Sequence, residues 1–414
     1  MERLVLYADF DFLEEAQPIG ELFHDRIRGN SVYRFRFFPQ WLELHGNTIL
    51  CADLANVPGW QYSSNDIFGC LGDALPDRWG RTLIDLREQI NAKKESRPPR
   101  IMSSFDYLSQ LDDFTRMGGL RFKTEDDNRY YNESESLVVP PVTSLRELQQ
   151  ASLLIEEKIE KGETPEEKWI RQLYNPGTSL GGARPKANIL AEDGTLQMAK
   201  FPSHNDHIDV GLWEHLCHQL AKEAGINTAE TSVLAIGKYH TLLSKRFDRK
   251  NGRRVHFASA MALLGLHDGD GEKTGKGYLD IVDFIIGNCA HAQSNLQELY
   301  RRVAFNICIG NADDHFRNHG FLLTNQGWIL APAYDINPSL SDHQALLVND
   351  NSNDADLRLL LECHNDYYIS QANAQSIIHE VQHSTKKWRT IASRLHTKAN
   401  EVELFQARLD KWML

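Results

Sequence analysis

Two runs near the start of the chain, LVLYADF (residues 4–10) and SVYRFRFF (residues 31–38), alternate their side chains with a period of two. That period lines one face of a half-buried strand, so both runs predict β-strands. A helical pattern follows near 75–92, and the polar, proline-containing stretch 122–145 reads as a connection. Ser144 stands as an N-cap with Glu147 three residues on, the spacing of a capping box, ahead of Leu145, Leu148, Leu153 and Leu154. That helix ends near Lys161 and Gly162; a second starts at Thr164 and Pro165 and runs through Trp169 and Leu173. Ile189 and Leu190, the turn Glu192, Asp193, Gly194, and the run from Leu196 to Phe201 predict a hairpin. Residues 210–224 are amphipathic with a helical period, and Gly225 sits where a helix C-cap belongs. Thr231 to Ile236 and Thr241 to Phe247 read as another strand pair. Beyond a glycine-rich polar stretch, 268–277, the pattern is helical over 278–291, over 295–309 and from 370 to the end. A β-containing first part and a mainly helical second part make an α+β chain.

Composition narrows the function. At 414 residues the chain has room for two domains or one two-lobed unit. Its 41% apolar and 25% charged residues are those of a globular protein, and no run approaches the roughly 20 apolar residues of a membrane-spanning helix. Acidic residues follow the apolar start without a small-residue cleavage site, so that start reads as a strand and not a signal peptide. A net charge of -12 argues against a chain built as an electrostatic nucleic-acid binder. Lys93, Lys94, Arg97 and Arg100, around Pro98 and Pro99, form one local basic segment. It reads either as a solvated loop after a helix or as a contact for an acidic partner. Cysteines at 51, 70, 217, 289, 308 and 363 contain no Cys-x-x-Cys pair and no disulfide framework, which suits a reducing cytoplasm. His204 with His207, and His215 with His218, lack a convincing set of further ligands for zinc.

The chemistry concentrates in RRVAFNICIGNADDHFRNHGFLLTNQGWILAPAYDI, residues 301–336. An apolar helix ends at Gly310, and Asn311, Asp313 and Asp314 follow at once. Asn318 stands five residues after Asp313. Two short apolar runs, Phe321–Leu323 and Trp328–Leu330, are joined by Thr324, Asn325, Gln326 and Gly327, which is a hairpin signature. Asp335 lies just past the second run. Acid, amide at five residues, hairpin and second acid is the order that phosphoryl transfer requires. One Asp orients the acceptor hydroxyl, and the Asn and the second Asp hold magnesium against phosphate oxygens. Spacing alone leaves the base open between Asp313 and Asp314. His315 lies inside the motif, where hydrogen bonding suits it to orient the loop.

GNADDHFRNHGF followed by LAPAYDI resembles the signature of HipA-type kinases, the toxin components of bacterial toxin–antitoxin pairs. TSLGGARPKA resembles that family's phosphate loop, and LFHDRIRGNSVYRFRFFPQWL and FGCLGDALPDRWGR resemble its N-terminal portion. The resemblance implies a two-lobed, protein-kinase-like fold, with residues 1–135 as an N-terminal subdomain. Residues 136–260 would then form the nucleotide-binding lobe and 261–414 the helical catalytic lobe. It implies ATP and Mg²⁺ as cofactors, Asp313 as the catalytic Asp, and Asn318 and Asp335 as magnesium ligands. Lys200 is similar in placement to the lysine on the ATP phosphates, and Glu214 could pair with it. Phe247, with backbone groups of Arg246 and Lys245, is similar to the adenine-contacting segment.

Ser179 lies beside Gly181 and Gly182, and adjacent glycines let backbone N–H groups cradle phosphate, with Lys186 as the compensating charge. The resemblance matches Ser179 to a serine whose autophosphorylation shuts the kinase off, through roughly two added negative charges beside a phosphate site. It further implies a protein substrate such as an aminoacyl-tRNA synthetase, a helix-turn-helix antitoxin as partner, and DNA reached mainly through that antitoxin. Two other readings stay open: a degenerate kinase fold acting as co-repressor or scaffold, and a kinase of a small molecule.

Overall fold

Alternation builds the first sheet. In β1 (Glu2–Ala8), Leu4, Leu6 and Ala8 are buried while the residues between them are not. The computed structural model, which describes residues 2–64, 66–124, 129–133, 139–174 and 182–412, adds β2 (Gln17–Ile27) and β3 (Asn30–Phe37) beside it. Helix α1 (Pro39–His45) follows, then β4 (Gln61–Tyr62), α2 (Gly69–Gly72), α3 (Arg78–Lys94), α4 (Ser104–Gln110) and β5 (Leu120–Lys123). The sheet order is β4-β3-β2-β1-β5, antiparallel throughout, with Leu4 opposite Leu22 and Leu22 opposite Phe35. Helix α3 buries Trp79, Leu83 and Ile84 and is capped by Asp77, whose carboxylate accepts the Gly80 N–H at 2.7 Å.

The capping box expected at Ser144 does not form. Val142–Ser144 make a 3₁₀ turn after Pro141, and Ser144 has helical backbone angles (φ -83°, ψ -1°) with no side-chain cap bond. An N-cap oxygen reaches the N3 N–H from extended backbone, which this turn denies. Helix α5 (Leu145–Glu160) still forms where its leucine spacing predicts, and α6 (Glu167–Tyr174) packs against it and α3. The hairpin of β6 (Lys186–Leu190) and β7 (Leu196–Lys200) follows, turning at Gly194 with φ +82°.

Helix α7 (Val210–Glu223) ends at Ala224, followed by Gly225 at φ +78°. Strands β8 (Thr231–Ile236) and β9 (Tyr239–Lys245) are neighbours, joined through Gly237. The ribbon of β10 (Arg249–Lys250) and β11 (Arg253–Arg254) leads to β12 (Phe257–Ser259) and α8 (Ala260–Leu263). Helices α9 (Tyr278–Asn288) and α10 (Ala292–Ile309) precede the hairpin of β13 (Gly320–Thr324) and β14 (Gly327–Leu330), which matches the sequence expectation closely. After α11 (Leu357–Glu362), the helical region expected from 370 onward consists of three helices, α12 (Gln371–Thr385), α13 (Trp388–Arg394) and α14 (Ala399–Asp410). The second break carries His396 at φ +56°, a conformation no α-helix continues through.

The chain divides into two units: Met1–Asp206 with Leu243–Ala258, and His207–Leu242 with Ser259–Leu414. In the second unit α10 is the axis, packed by α9, α11, α12 and α14. Trp213 of α7 donates its indole N–H to buried Glu401 of α14 at 2.8 Å. No helix among the described residues is long and apolar enough to cross a membrane.

An ion network fastens the first unit. Asp248, fully buried, pairs with Arg246 at 2.6 Å and with Arg249 at 2.5 Å, and accepts the Gly118 N–H at 2.8 Å. Burial pushes its carboxyl up, but the two guanidinium groups outweigh that and hold it well below the ordinary 3.8. The depressed value means that this contribution to stability is present above the ordinary carboxylate range and is lost as pH falls below it. Asp248→Ala should cost about 3–5 kcal/mol in urea denaturation at pH 7, because it strands buried guanidinium charge. The cost should shrink as the denaturation is repeated at progressively lower pH below 3.8.

Candidate active site

Helix α10 stops at Gly310, whose φ of +75° ends the helix as a left-handed cap. A Cβ there would stand 2.3 Å from Arg408 Nε and 2.7 Å from the Ser339 carbonyl, so only glycine fits. Arg408 donates to the Ile307 carbonyl at the end of α10 (3.2 Å) and pairs with Asp342 (2.9 Å). The loop from Asn311 enters a 3₁₀ turn, Phe316–Asn318, and then the β13–β14 hairpin. Past β14, Asp335 adopts φ +56°. Such a conformation costs a non-glycine residue about 1 kcal/mol or more and persists only where the surroundings hold it. Here Asn337 Nδ2 donates to Asp335 Oδ1 at 3.2 Å, and the neighbouring Tyr334 hydroxyl donates to the Arg317 carbonyl.

The two adjacent acids, which spacing cannot tell apart, have opposite environments. Asp314 is buried, and one of its oxygens, Oδ2, accepts from the Tyr278 hydroxyl at 2.7 Å and Asn306 Nδ2 at 2.7 Å, and meets His319 Nε2 at 2.9 Å. Asp313 is open to solvent on one side. Enough protein surrounds it that burial raises its carboxyl above the usual range. Repulsion from Asp335 and Asp314 adds to this, against the attraction of His315. Asp313 and Asp335 therefore share one electrostatic site, and Asp314 is fully committed elsewhere. Asn318 donates Nδ2 to the Asp313 carbonyl at 2.9 Å, which ties up its amide nitrogen and leaves Oδ1 as its oxygen donor. His315 gives its backbone N–H to the Asp313 carbonyl (3.1 Å), and its own carbonyl accepts the Asn318 N–H (2.8 Å).

An amide oxygen from Asn318 and a carboxylate from Asp335 are hard oxygen donors of the kind magnesium takes. The mutual repulsion of Asp335 and Asp313 is what a divalent cation would relieve. The residues present fit the ion.

In the first unit, Lys186 is buried with its ammonium 2.8 Å from Asp77. It sits directly opposite half-buried Lys200 in the β6–β7 ladder. Gly182, at φ +91°, lies so close that a Cβ would meet Lys186 Nζ at 3.4 Å. Ser179 and Gly181 lie outside the described residues. The Arg246 side chain is committed to Asp248, to Asn188 Oδ1 (2.9 Å) and to the Thr115 carbonyl (3.1 Å), and its N–H bonds the Leu196 carbonyl (3.0 Å). Phe247 is half-buried, its ring 5.9 Å from that of Phe257. Glu214 is buried on α7, 4.0 Å from His218 Nε2.

Sequence reasoning missed Tyr278, Asn306, His319, Asp77 and Arg408. Tyr278 lies 36 residues from Asp314 and reads as one more large residue at the start of an apolar helix. Asn306 carried the one available signal, an amide inside the apolar run VAFNICI.

The fold and the loop together define a class. Over 99% of its length the chain superimposes on 96% of a HipA chain from the Shewanella oneidensis complex of HipA, HipB and operator DNA, with a TM-score of 0.69 and 18% identity. That likeness confirms the kinase-like α+β fold expected from the sequence. Residues 178–388 match the model of the HipA-like C-terminal domain, and the chain belongs to that family. It is 27% identical over 225 residues to the serine/threonine-protein kinase toxin HipA of Shewanella oneidensis, covering 48% of this chain and 52% of that protein. A putative kinase of Haemophilus influenzae is 25% identical over 185 residues, 40% of this chain and 54% of the relative. The chain thus spans about half the length of the curated relatives it matches.

Replacing Asp335 by Asn removes one of the like charges beside Asp313, so the Asp313 carboxyl should titrate at lower pH in the variant. Carboxyl ¹³C titration of the two proteins without nucleotide or metal reads this directly; an unchanged or higher midpoint would contradict the shared site.

Proposed function

We propose that this protein is an ATP-dependent serine/threonine protein kinase of the HipA toxin kind. The observation that carries the reading is the parting of Asp313 from Asp314. One acid is exposed beside Asn318 and Asp335, the other is locked inside. Asp313 accepts the proton of the acceptor hydroxyl, and its raised affinity for protons suits a base. His315 and Asn318, bonded to the Asp313 backbone, set the loop geometry. Magnesium, bound by Asn318 Oδ1 and Asp335, would supply positive charge against the phosphate oxygens. The paired strands carrying Lys186 and Lys200, with Gly182 over the Lys186 ammonium, are the ATP-phosphate grip. Ser179 and Gly181 stand just before Gly182 in sequence, and Phe247 with the backbone of Arg246 is the adenine contact. On this reading residues 1–135, 136–260 and 261–414 serve as N-terminal subdomain, nucleotide lobe and catalytic lobe.

The S. oneidensis relative was solved with HipB and operator DNA. By analogy this chain works beside a small helix-turn-helix antitoxin and reaches DNA mainly through it, which its net charge of -12 favours. The substrate is a protein of translation, an aminoacyl-tRNA synthetase being the class the family resemblance points to, and the setting is the cytoplasm. Autophosphorylation at Ser179 ends activity by placing negative charge in the phosphate loop.

Incubation with labelled ATP and Mg²⁺, with and without a cell lysate, tests the reading. Transfer of label to a protein is expected, with Asp313→Ala slower by about 10²–10⁴-fold. Label transfer only to a small molecule, or a wild type no more active than Asp313→Ala, would overturn it. Peptide mass analysis after the same incubation should find phosphate on Ser179; its repeated absence from active enzyme would remove the switch.

A further inference from the structure

The nine residues from Asn311 to His319 form a loop that must hold Asp313 and Asn318 outward. Apart from Phe316, which is buried, the loop is mostly polar, and its polar residues do not set that direction by themselves. The geometry points to Asp314 as the positioning residue of this loop: its buried carboxylate fastens both ends of the loop to α9 and α10, so that Asp313 and Asn318 face the reaction.

Three contacts converge on Asp314 Oδ2 from three places in the chain. Tyr278 comes from the first turn of α9, Asn306 from the last turn of α10, and His319 from the far end of the loop. Asn306 extends the tie to the near end. Its carbonyl accepts the Asn311 N–H at 2.9 Å, and its Oδ1 accepts Asn311 Nδ2 at 3.1 Å. The rings of Tyr278 and His319 meet edge to face, 5.6 Å between centroids, and the His319 carbonyl accepts the Ala260 N–H at 2.7 Å. The loop is thus closed at Asn311 and at His319 around one carboxylate, with Phe316 buried between them and Asp313 left exposed.

Charge explains why the centre is an acid. Burial alone would push the Asp314 carboxyl up, but His319, Tyr278 and His315 outweigh it and hold it below the usual range, so it stays ionised. The Tyr278 hydroxyl, lifted well above its ordinary value by burial and by Asp314, stays protonated and donates. Hydrogen bonds to an ionised acceptor are about twice as strong as neutral ones. A small misplacement of a reacting group can cost on the order of 10²-fold in rate, so the anchor matters to turnover without touching substrate.

The inference rests on the kinase reading of the same site, and one series separates the two. Wild type, Asp314→Ala, Asp314→Asn, Tyr278→Phe and the double variant Asp314→Asn/Tyr278→Phe are assayed for kcat and for the KM of ATP, with thermal melting alongside. Asp314→Ala should lower kcat by about 10²-fold; Asp314→Asn, which keeps an oxygen for the donors, should recover part of the loss to about 10-fold. Tyr278→Phe should lose about 3–10-fold with its melting temperature nearly unchanged, and its effect should not add to that of Asp314→Asn. The KM for ATP should stay within about 3-fold throughout, because Asp314 and Tyr278 bond to the loop and not to nucleotide. Hydrogen exchange should quicken at amides 311–319 before those of α9. If Asp314→Asn fails to fold, Tyr278→Phe decides alone. Active wild type with undiminished kcat in the folded variants, or a loss that appears in KM instead, overturns the positioning role. An inactive wild type overturns the kinase reading and this role with it.

Discussion

A carboxylate shut away from water must find its hydrogen-bond donors within the protein, and in this chain that requirement organises the second unit around the Asn311–His319 loop. Asp314 can be buried only if Tyr278, Asn306 and His319 stand where they do, and each belongs to a different element. Satisfying one carboxylate therefore fixes the start of α9, the end of α10 and the exit of the loop together. The residue beside it is then turned outward by chain geometry. One acid is locked inside, and its neighbour is left facing solvent.

Similar logic holds where α10 ends. Gly310 reverses the backbone because Arg408 and the Ser339 carbonyl leave no space for a side chain. Arg408 meets the Ile307 carbonyl and, through Asp342, the stretch that follows Asp335. The C-terminal helix α14 thereby supports the loop from behind, and Glu401 on the same helix anchors α7 through Trp213. In the first unit Asp248 is the comparable centre. It draws Arg246 and Arg249 inward and reaches Gly118, more than a hundred residues away. A buried ion pair of this kind is weak evidence for net stability, but removal of one partner is costly, which makes such a centre a strong constraint on geometry.

Much of the architecture was legible in the order of residues. Period-two runs placed β1 and β3, the leucine spacing placed α5, and the hairpin of β13 and β14 followed from two apolar runs around Asn325, Gln326 and Gly327. Local energetics decide such elements, so a local pattern reports them. In one place the local pattern misled. Ser144 has the residue type and spacing of a capping box, yet Pro141 launches a 3₁₀ turn that leaves its backbone helical. The helical pattern read from residue 370 onward is present, divided into three helices, and the break at His396 is a left-handed residue that apolar spacing does not announce.

The candidate site divides in the same way. Asp313, Asn318, the hairpin and Asp335 lie within 23 residues, close enough that type and spacing alone proposed phosphoryl transfer. Which of Asp313 and Asp314 faces outward was not decidable there, because neighbouring aspartates differ only in what surrounds them. The partners that separate them lie 5, 8 and 36 residues from Asp314 in the chain, and the two on helices meet it only after α9 and α10 have packed. Sequence by itself determined which groups were present and their order around the turn. Tertiary structure decided which were wet and which buried, because burial is settled by side chains remote in sequence, and burial sets the charge, direction and task of each acid.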